Sequence, residues 1–283
     1  MLALLFLSHF REFAFSACLW FTSMITKNVE ELIRKALLSG PMPRHMAFIM
    51  DGNRRYARQH NIPESQGHTD GYYQLSFLLK EWLTKTNIEC MSIYAWSILN
   101  FGREESQVAA CMKLLEEKLE EFITLCDTMI PLFEMHGVRV AIFGRTELFS
   151  ERIQFLISKV EEKTRSYKTR RLMNIYLSYT SADEMTRSVE ACVNASLDSN
   201  ESLPIMAKDI EMHLDGFFPA EDASIPPVDI LVRTGGAKRF SDFLLWQACE
   251  HTQLQFVSTL WPVFGPWDLL FIFLDYQRSK MFR

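Results

Sequence analysis

A chain of 283 residues, 48% of them hydrophobic, can fill one large core and still leave an N-terminal appendage. Its net charge of −5 and the lack of a basic block argue against a nucleic-acid partner, although local arginines can still build an anion site. Six scattered cysteines without a Cys-x-x-Cys pair, and seven histidines without ligand spacing, argue against zinc or a disulfide framework.

In chain order, residues 1–39 form an apolar or amphipathic segment and residues 40–283 the main domain. Met1 to Leu7 is apolar, Arg11 and Glu12 interrupt, and Phe13 to Ile25 is again apolar and aromatic. A spanning helix needs roughly 20 unbroken apolar residues. The Arg-Glu break argues against one, and no positive stretch precedes the first run as a secretory signal requires. A helix lying in a membrane interface is the preferred reading of 1–25. A helix packed on the domain or lining an apolar tunnel, and a signal-anchor, stay open.

After Gly40-Pro41-Met42-Pro43, strand and helix patterns alternate. The first apolar run, Met46–Met50, predicts a buried strand, with His45 before it structural. It leads into Asp51-Gly52-Asn53-Arg54-Arg55 and a helix pattern. Ligands of open α/β sheets bind at that edge. Gly52 lets backbone approach a ligand, and amides opening the helix attract anions. Arg54 and Arg55 can fork onto phosphate oxygens, and Asp51 can hold a divalent cation bridging to them. An ordinary turn with solvated charges is the competing reading of this segment alone.

Helical periodicity follows at Leu75, Leu78, Leu79 and Trp82, then at Val108, Met112, Leu115, Leu119 and Phe122. Ile153, Leu156, Ile157 and Val160 mark a third face, and Met185, Val189 and Cys192 a fourth. Between them, Met91–Trp96, Val138–Phe143 and Met173–Ser178 predict strands. Ser199–Pro227 reads as loop with a short helix near Met206–Leu214. Ile230–Val232 and Leu254–Ser258 complete six strands. The alternation predicts an α/β fold, a single parallel six-stranded sheet flanked by helices.

The stretch Asp229–Gln247 repeats the first plan. A short strand leads to Arg233, then Gly235-Gly236, then Arg239 and Ser241, with Ser241 the N-cap of a predicted helix. Two anion sites on strand–loop–helix edges suit an enzyme that joins two diphosphates. The final run, Trp267–Tyr276, is apolar and reads equally as core or as a partner interface.

These two segments resemble the signature blocks of the cis-prenyltransferases, undecaprenyl diphosphate synthase-like enzymes, and most of all their eukaryotic dehydrodolichyl diphosphate synthase catalytic subunits. Gly67-His68 with Gly71, the block Tyr94-Ala95-Trp96-Ser97-Ile98-Leu99-Asn100-Phe101-Gly102-Arg103, and Leu260-Trp261-Pro262 agree with the resemblance. It implies that 40–283 is a catalytic domain condensing isopentenyl diphosphate with farnesyl diphosphate or a longer allylic diphosphate. The product would be a long cis-polyprenyl diphosphate for a dolichol-type glycosyl carrier. Its growing hydrocarbon needs an apolar tunnel, for which the helices at Tyr72–Trp82 and Val108–Phe122 are wall candidates.

By the same resemblance, Asp51 binds Mg²⁺, and Gly52, Asn53, Arg54, Arg55, Ser97 and Arg103 cradle the allylic diphosphate. Asn100 and His68 lie near the reacting carbons and leaving group, and Arg233, Arg239 and Ser241 take isopentenyl diphosphate. The chain lacks the closing Arg-x-Gly triplet of members that work alone. That implies a non-catalytic partner related to the Nogo-B receptor, and peripheral residence on the cytosolic face of the endoplasmic reticulum. Glu64, Leu99, Ala182 and Ala237 depart from the family pattern, and Gln253 stands where bacterial members place a second metal carboxylate, with Glu250 nearby but off-register. Those departures motivate an alternative, a catalytically weak paralogue serving as a binding or regulatory subunit.

Overall fold

The computed structural model describes residues 35–124, 129–165, 167, 171–199, 204–215 and 225–281. The chain divides into a large unit, Pro43–Tyr276, and a small one of Met1–Met42 with Gln277–Arg283. The expected N-terminal apolar helix at 1–25 falls outside the described residues. In the small unit, Gln277 Nε2 donates to the Leu37 carbonyl at 2.7 Å. Among the described residues no helix is long and apolar enough to cross a membrane.

In the large unit, β1 (His45–Ile49), β2 (Cys90–Tyr94), β3 (Val138–Phe143), β4 (Arg171–Tyr176), β5 (Ile230–Arg233) and β6 (Gln253–Phe256) form one sheet. Its order is β3-β4-β2-β1-β5-β6, and every pairing is parallel. Each strand ends within two residues of the apolar run that predicted it. The described helices are α1 (Asn53–Gln59), α2 (Glu64–Lys85), α3 (Glu105–Thr124), α4 (Met129–His136), α5 (Glu151–Arg165), α6 (Ser181–Ser199), α7 (Ala207–Glu211) and α8 (Pro266–Met281). The periodicity does not anticipate α4, and α7 is shorter than expected.

Strand β1 is buried along its whole length, as a central parallel strand covered on both faces must be. Ala47 and Ile49 join Leu231, Tyr176, Tyr179 and Phe243 in one cluster. Phe48, on the other face, packs against Trp261 and Phe264 with ring centroids 6.4 and 6.1 Å away. Truncating such a fully enclosed phenyl ring to Ala costs about 3–5 kcal/mol. His45 is structural: its ring meets the Pro226 carbonyl at 2.7 Å and Ser92 Oγ at 2.8 Å. Burial pushes its pKa down to about 4, so it stays neutral.

The apolar run at the C-terminus is core on one face only. On α8, Ile272, Phe273 and Tyr276 are buried, while Trp267 and Phe271 are exposed.

One expected element is absent. The stretch after Ser241 makes turns rather than a helix through Glu250, and Ser241 is not an N-cap. Ser241, Asp242 and Leu244 have φ of 52°, 60° and 50°, which breaks the helical path. Tertiary partners take the place of the helical ladder. Leu245 N donates to Ser181 Oγ at 2.9 Å, Ser181 N donates to the Asp242 carbonyl at 2.8 Å, and Phe243 stacks on Tyr94 at 4.4 Å.

Candidate active site

From β1 the chain runs through β2 to the edge strand β3, comes back to β4, and then crosses to the other side of β1 as β5. That reversal makes the β1/β5 edge a topological switch point, where the carboxyl ends of strands leave a crevice. The register pairs Ile49 with Arg233. It therefore brings Asp51, just past β1, onto the same rim as Arg233 and Thr234.

Asp51 is fixed from both sides of its backbone. Its amide donates to Thr234 Oγ1 at 2.9 Å, and that hydroxyl donates to the Asp51 carbonyl at 2.7 Å. The carboxylate is gripped twice: Arg233 Nη2 donates to Oδ2 at 2.8 Å, and Arg55 Nη2 lies 3.1 Å from Oδ1. Burial alone would push the Asp51 pKa up, but Arg233 and then Arg55 outweigh it and hold the group below the usual carboxylate range. Asp51 is thus anionic at neutral pH.

Arg233 is buried, and its other amino group donates to Ser241 Oγ at 2.6 Å and to the Arg239 carbonyl at 2.7 Å. Its Nε is buried without an acceptor. An unpaired buried donor of this kind is costly, and an anion arriving at the rim can supply the missing acceptor. The Arg239 residue itself is exposed beside it. Gly235 makes the crowding possible. It has φ +77°, and a Cβ there would fall 2.8 Å from the Asp51 carbonyl oxygen and closer still to the Arg55 guanidinium.

A second cluster sits where α1 and α2 begin. Gly52 is the N-cap of α1, no side chain caps its first turn, and no acid stands there. Gly67 and Gly71 lie one helical turn apart on α2, and added Cβ atoms would strike the Asn53 backbone and side chain. Their absence of side chains lets α2 close against the start of α1. Asn53 Oδ1 is buried there without a partner. Ser97 caps the 3₁₀ turn Ile98–Gly102 by accepting from Leu99 N at 3.2 Å. Asn100 Oδ1 accepts from Arg103 Nη2 at 2.8 Å, and the Arg103 guanidinium lies over the Trp96 ring at 5.4 Å. Burial, then Arg103, then Arg54 lower the His68 pKa, with Glu64 opposing, so this imidazole is neutral near pH 7. An open pocket of about 340 Å³ between α2 and α3 is lined by Glu64, His68, Arg103, Cys111, Leu114 and Glu117, among others.

The structure therefore brings Asp51, Arg55, Arg233, Arg239 and Ser241 together, and gathers Arg54, His68, Asn100 and Arg103 close by. Arg103 feels the charges of both Arg54 and Asp51, which links the two groups. Asn53 and Ser97 lie beside them with their side chains turned to packing and capping. Sequence reasoning missed Thr234. It also missed Arg58, which holds the Glu64 carboxylate at 2.8 Å. Leu99 points into solvent at 73% exposure. Gln253 opens β6 at the opposite end of the sheet from Asp51 and donates to Asp275 at 2.6 Å.

One carboxylate between two clusters of arginines is a donor set that fits Mg²⁺, which takes few protein ligands and completes its shell with phosphate oxygens and water. Among the described residues, no three acidic, histidine or cysteine side chains converge into a protein-only cage.

Residues 49–282 match the family model described as "Putative undecaprenyl diphosphate synthase". The dehydrodolichyl diphosphate synthase CPT3 of Solanum lycopersicum is 31% identical over 91% of this chain and 93% of its own length. The dehydrodolichyl diphosphate synthase complex subunit SRT1 of Saccharomyces cerevisiae is 34% identical over 94% of this chain and 75% of its own. In fold, the chain is similar to lavandulyl diphosphate synthase from Lavandula x intermedia, solved with dimethylallyl diphosphate. The TM-score is 0.72 at 24% identity, covering 83% of this chain and 95% of that one.

Proposed function

The chain belongs to the undecaprenyl diphosphate synthase-like prenyltransferase family, and from that premise we propose that it condenses isopentenyl diphosphate with farnesyl diphosphate or a longer allylic diphosphate. The product is a long cis-polyprenyl diphosphate for a dolichol-type glycosyl carrier. The observation that carries this reading is the 2.8 Å contact between Asp51 and Arg233, which sets two arginine-bearing strand ends on one rim, as a shared reaction chamber requires.

Breaking the allylic C–O bond builds negative charge on the leaving diphosphate. Arg54, Arg55 and Arg103 stabilise that charge from fixed positions, with Asn100 holding Arg103 in place. Neutral His68 donates a hydrogen bond to the leaving group. Arg233, Arg239 and Ser241 hold isopentenyl diphosphate so that its double bond faces the allylic carbon. Asp51 would hold Mg²⁺, which when bound adds positive charge where the leaving diphosphate gains negative charge.

The yeast relative is a complex subunit, which supports a partner for this chain; the missing Arg-x-Gly triplet is our reason for making that partner obligate and Nogo-B-receptor-like. An insoluble polyprenyl product favours a peripheral site on the cytosolic face of the endoplasmic reticulum. The test is co-expression with such a subunit, followed by incorporation of labelled isopentenyl diphosphate with and without Mg²⁺. Magnesium-dependent chain growth, lost in a folded Asp51→Ala variant, is expected. No incorporation by a folded complex overturns the proposal.

A further inference from the structure

Among the described residues Glu184 is the most enclosed carboxylate, 1% exposed, and the chemistry above does not use it. Donors from three separate segments converge on it. Tyr179 Oη donates to Oε2 at 2.5 Å, the Asp215 amide to Oε1 at 2.9 Å, and Gln247 Nε2 to both oxygens at 3.0 and 3.2 Å. Gln247 closes the stretch that begins at Arg239 and Ser241. The first turn of α6 holds the rest of that stretch, since Ser181 N and Ala182 N donate to the Asp242 carbonyl and carboxylate at 2.8 and 3.1 Å.

The clamped stretch is strained. Ser241, Asp242 and Leu244 all sit at positive φ, a conformation that non-glycine residues keep only where the surroundings impose it. Its business end is the pair of acceptors for Arg233 Nη1, Ser241 Oγ and the Arg239 carbonyl. Released from α6, the stretch would relax toward ordinary φ values and carry both acceptors away from Arg233.

We propose that Glu184 is a positioning residue for the isopentenyl diphosphate subsite. Through Gln247 it clamps the 239–247 stretch on α6, and so sets Ser241 and Arg239 against Arg233. It touches no substrate. The inference rests on the proposed function and refines one half of it.

The experiment uses the full chain in its partner complex and measures calorimetric affinity for isopentenyl and farnesyl S-thiolodiphosphates, each added alone so that no condensation occurs. Glu184→Gln should weaken the isopentenyl analogue about tenfold, the scale of one lost charge-assisted hydrogen bond, and leave the farnesyl analogue within about twofold. Glu184→Asp should recover part of the loss. Gln247→Leu, which cuts the clamp without altering the buried acid, should copy the effect and covers the case in which Glu184→Gln does not fold. Equal affinities across the variants, or equal weakening of both analogues, overturns the inference. Binding of neither analogue by the unmodified complex overturns the functional reading, and this inference with it.

Discussion

Asp51 Oδ2 and Arg233 Nη2 lie 2.8 Å apart although 182 residues separate them in sequence. The contact exists because β1 and β5 pair in parallel with Ile49 opposite Arg233. The carboxylate and the guanidinium thus neutralise each other. On the proposed function, a cation taken by Asp51 would leave Arg233 free for a diphosphate.

Arg233→Lys keeps the charge but loses the fork that reaches Asp51, Ser241 and the Arg239 carbonyl at once. In the assembled complex, KM for isopentenyl diphosphate should rise about tenfold or more, the value of one or two charged hydrogen bonds. Steady-state kinetics with the allylic substrate saturating reads this, and an unchanged KM counts against the assignment.

Gly235→Ala should be more damaging than its size suggests. A methyl group there meets the Arg55 guanidinium and the Asp51 carbonyl oxygen, on backbone at φ +77°. The expected cost is about 1–3 kcal/mol of stability, with turnover falling at least about tenfold as Arg55 and Asp51 shift. Denaturant melts and initial rates on the same preparation check both parts.

Glu64→Arg should raise affinity for the allylic diphosphate by roughly three- to tenfold, because it removes a carboxylate from the pocket wall and releases Arg58. The Arg58–Glu64 pair is exposed, so stability should move by less than about 1 kcal/mol. Calorimetry with farnesyl S-thiolodiphosphate decides, and weaker binding would contradict it.

Glu184 also predicts a pH dependence. Burial raises its pKa to about 7, against the hydrogen bonds of Tyr179 and Gln247, and Asp215 adds to the rise. Tyr176 faces it from the end of β4, Tyr179 from the loop that follows, Asp215 from the end of the α7 segment, and Gln247 from the clamped stretch. A raised carboxyl pKa means that the folded state keeps a proton the unfolded chain releases near its ordinary value. This group's contribution to stability is therefore full below about pH 4.5 and falls as pH rises to about 7, by on the order of 3 kcal/mol. Glu184→Gln should lack that slope. Denaturant melts of both proteins at pH 5 and pH 8 should show the variant gaining relative to the unmodified chain, and parallel pH curves would count against the assignment.

The strands were legible because a parallel sheet covered on both faces demands uninterrupted apolar runs, and Met46–Met50 or Val138–Phe143 can hardly be read otherwise. Asp51 and Arg233 were legible as candidates because a charged residue directly after such a run must lie on the sheet rim. Their direct contact was not, since strand order is set by pairing between distant segments. Thr234 was hidden for the same reason. Phe243-Leu244-Leu245-Trp246 behind Ser241 imitates a capped helix, but Ser181 and Tyr94 compete for its backbone and rings and win. Glu64 looked hostile to an anion because its partner, Arg58, lies six residues away across a turn.

The central claim is that two diphosphates dock side by side on one rim, and it is tested most directly by a structure of the partner complex with isopentenyl and farnesyl S-thiolodiphosphates bound together. One diphosphate should contact Arg54 and Arg103, the other Arg239 and Ser241, with Asp51 between them and its carboxylate released from Arg233. A complex in which either diphosphate binds away from Asp51, or both crowd into one cluster while the other stays empty, would contradict the account.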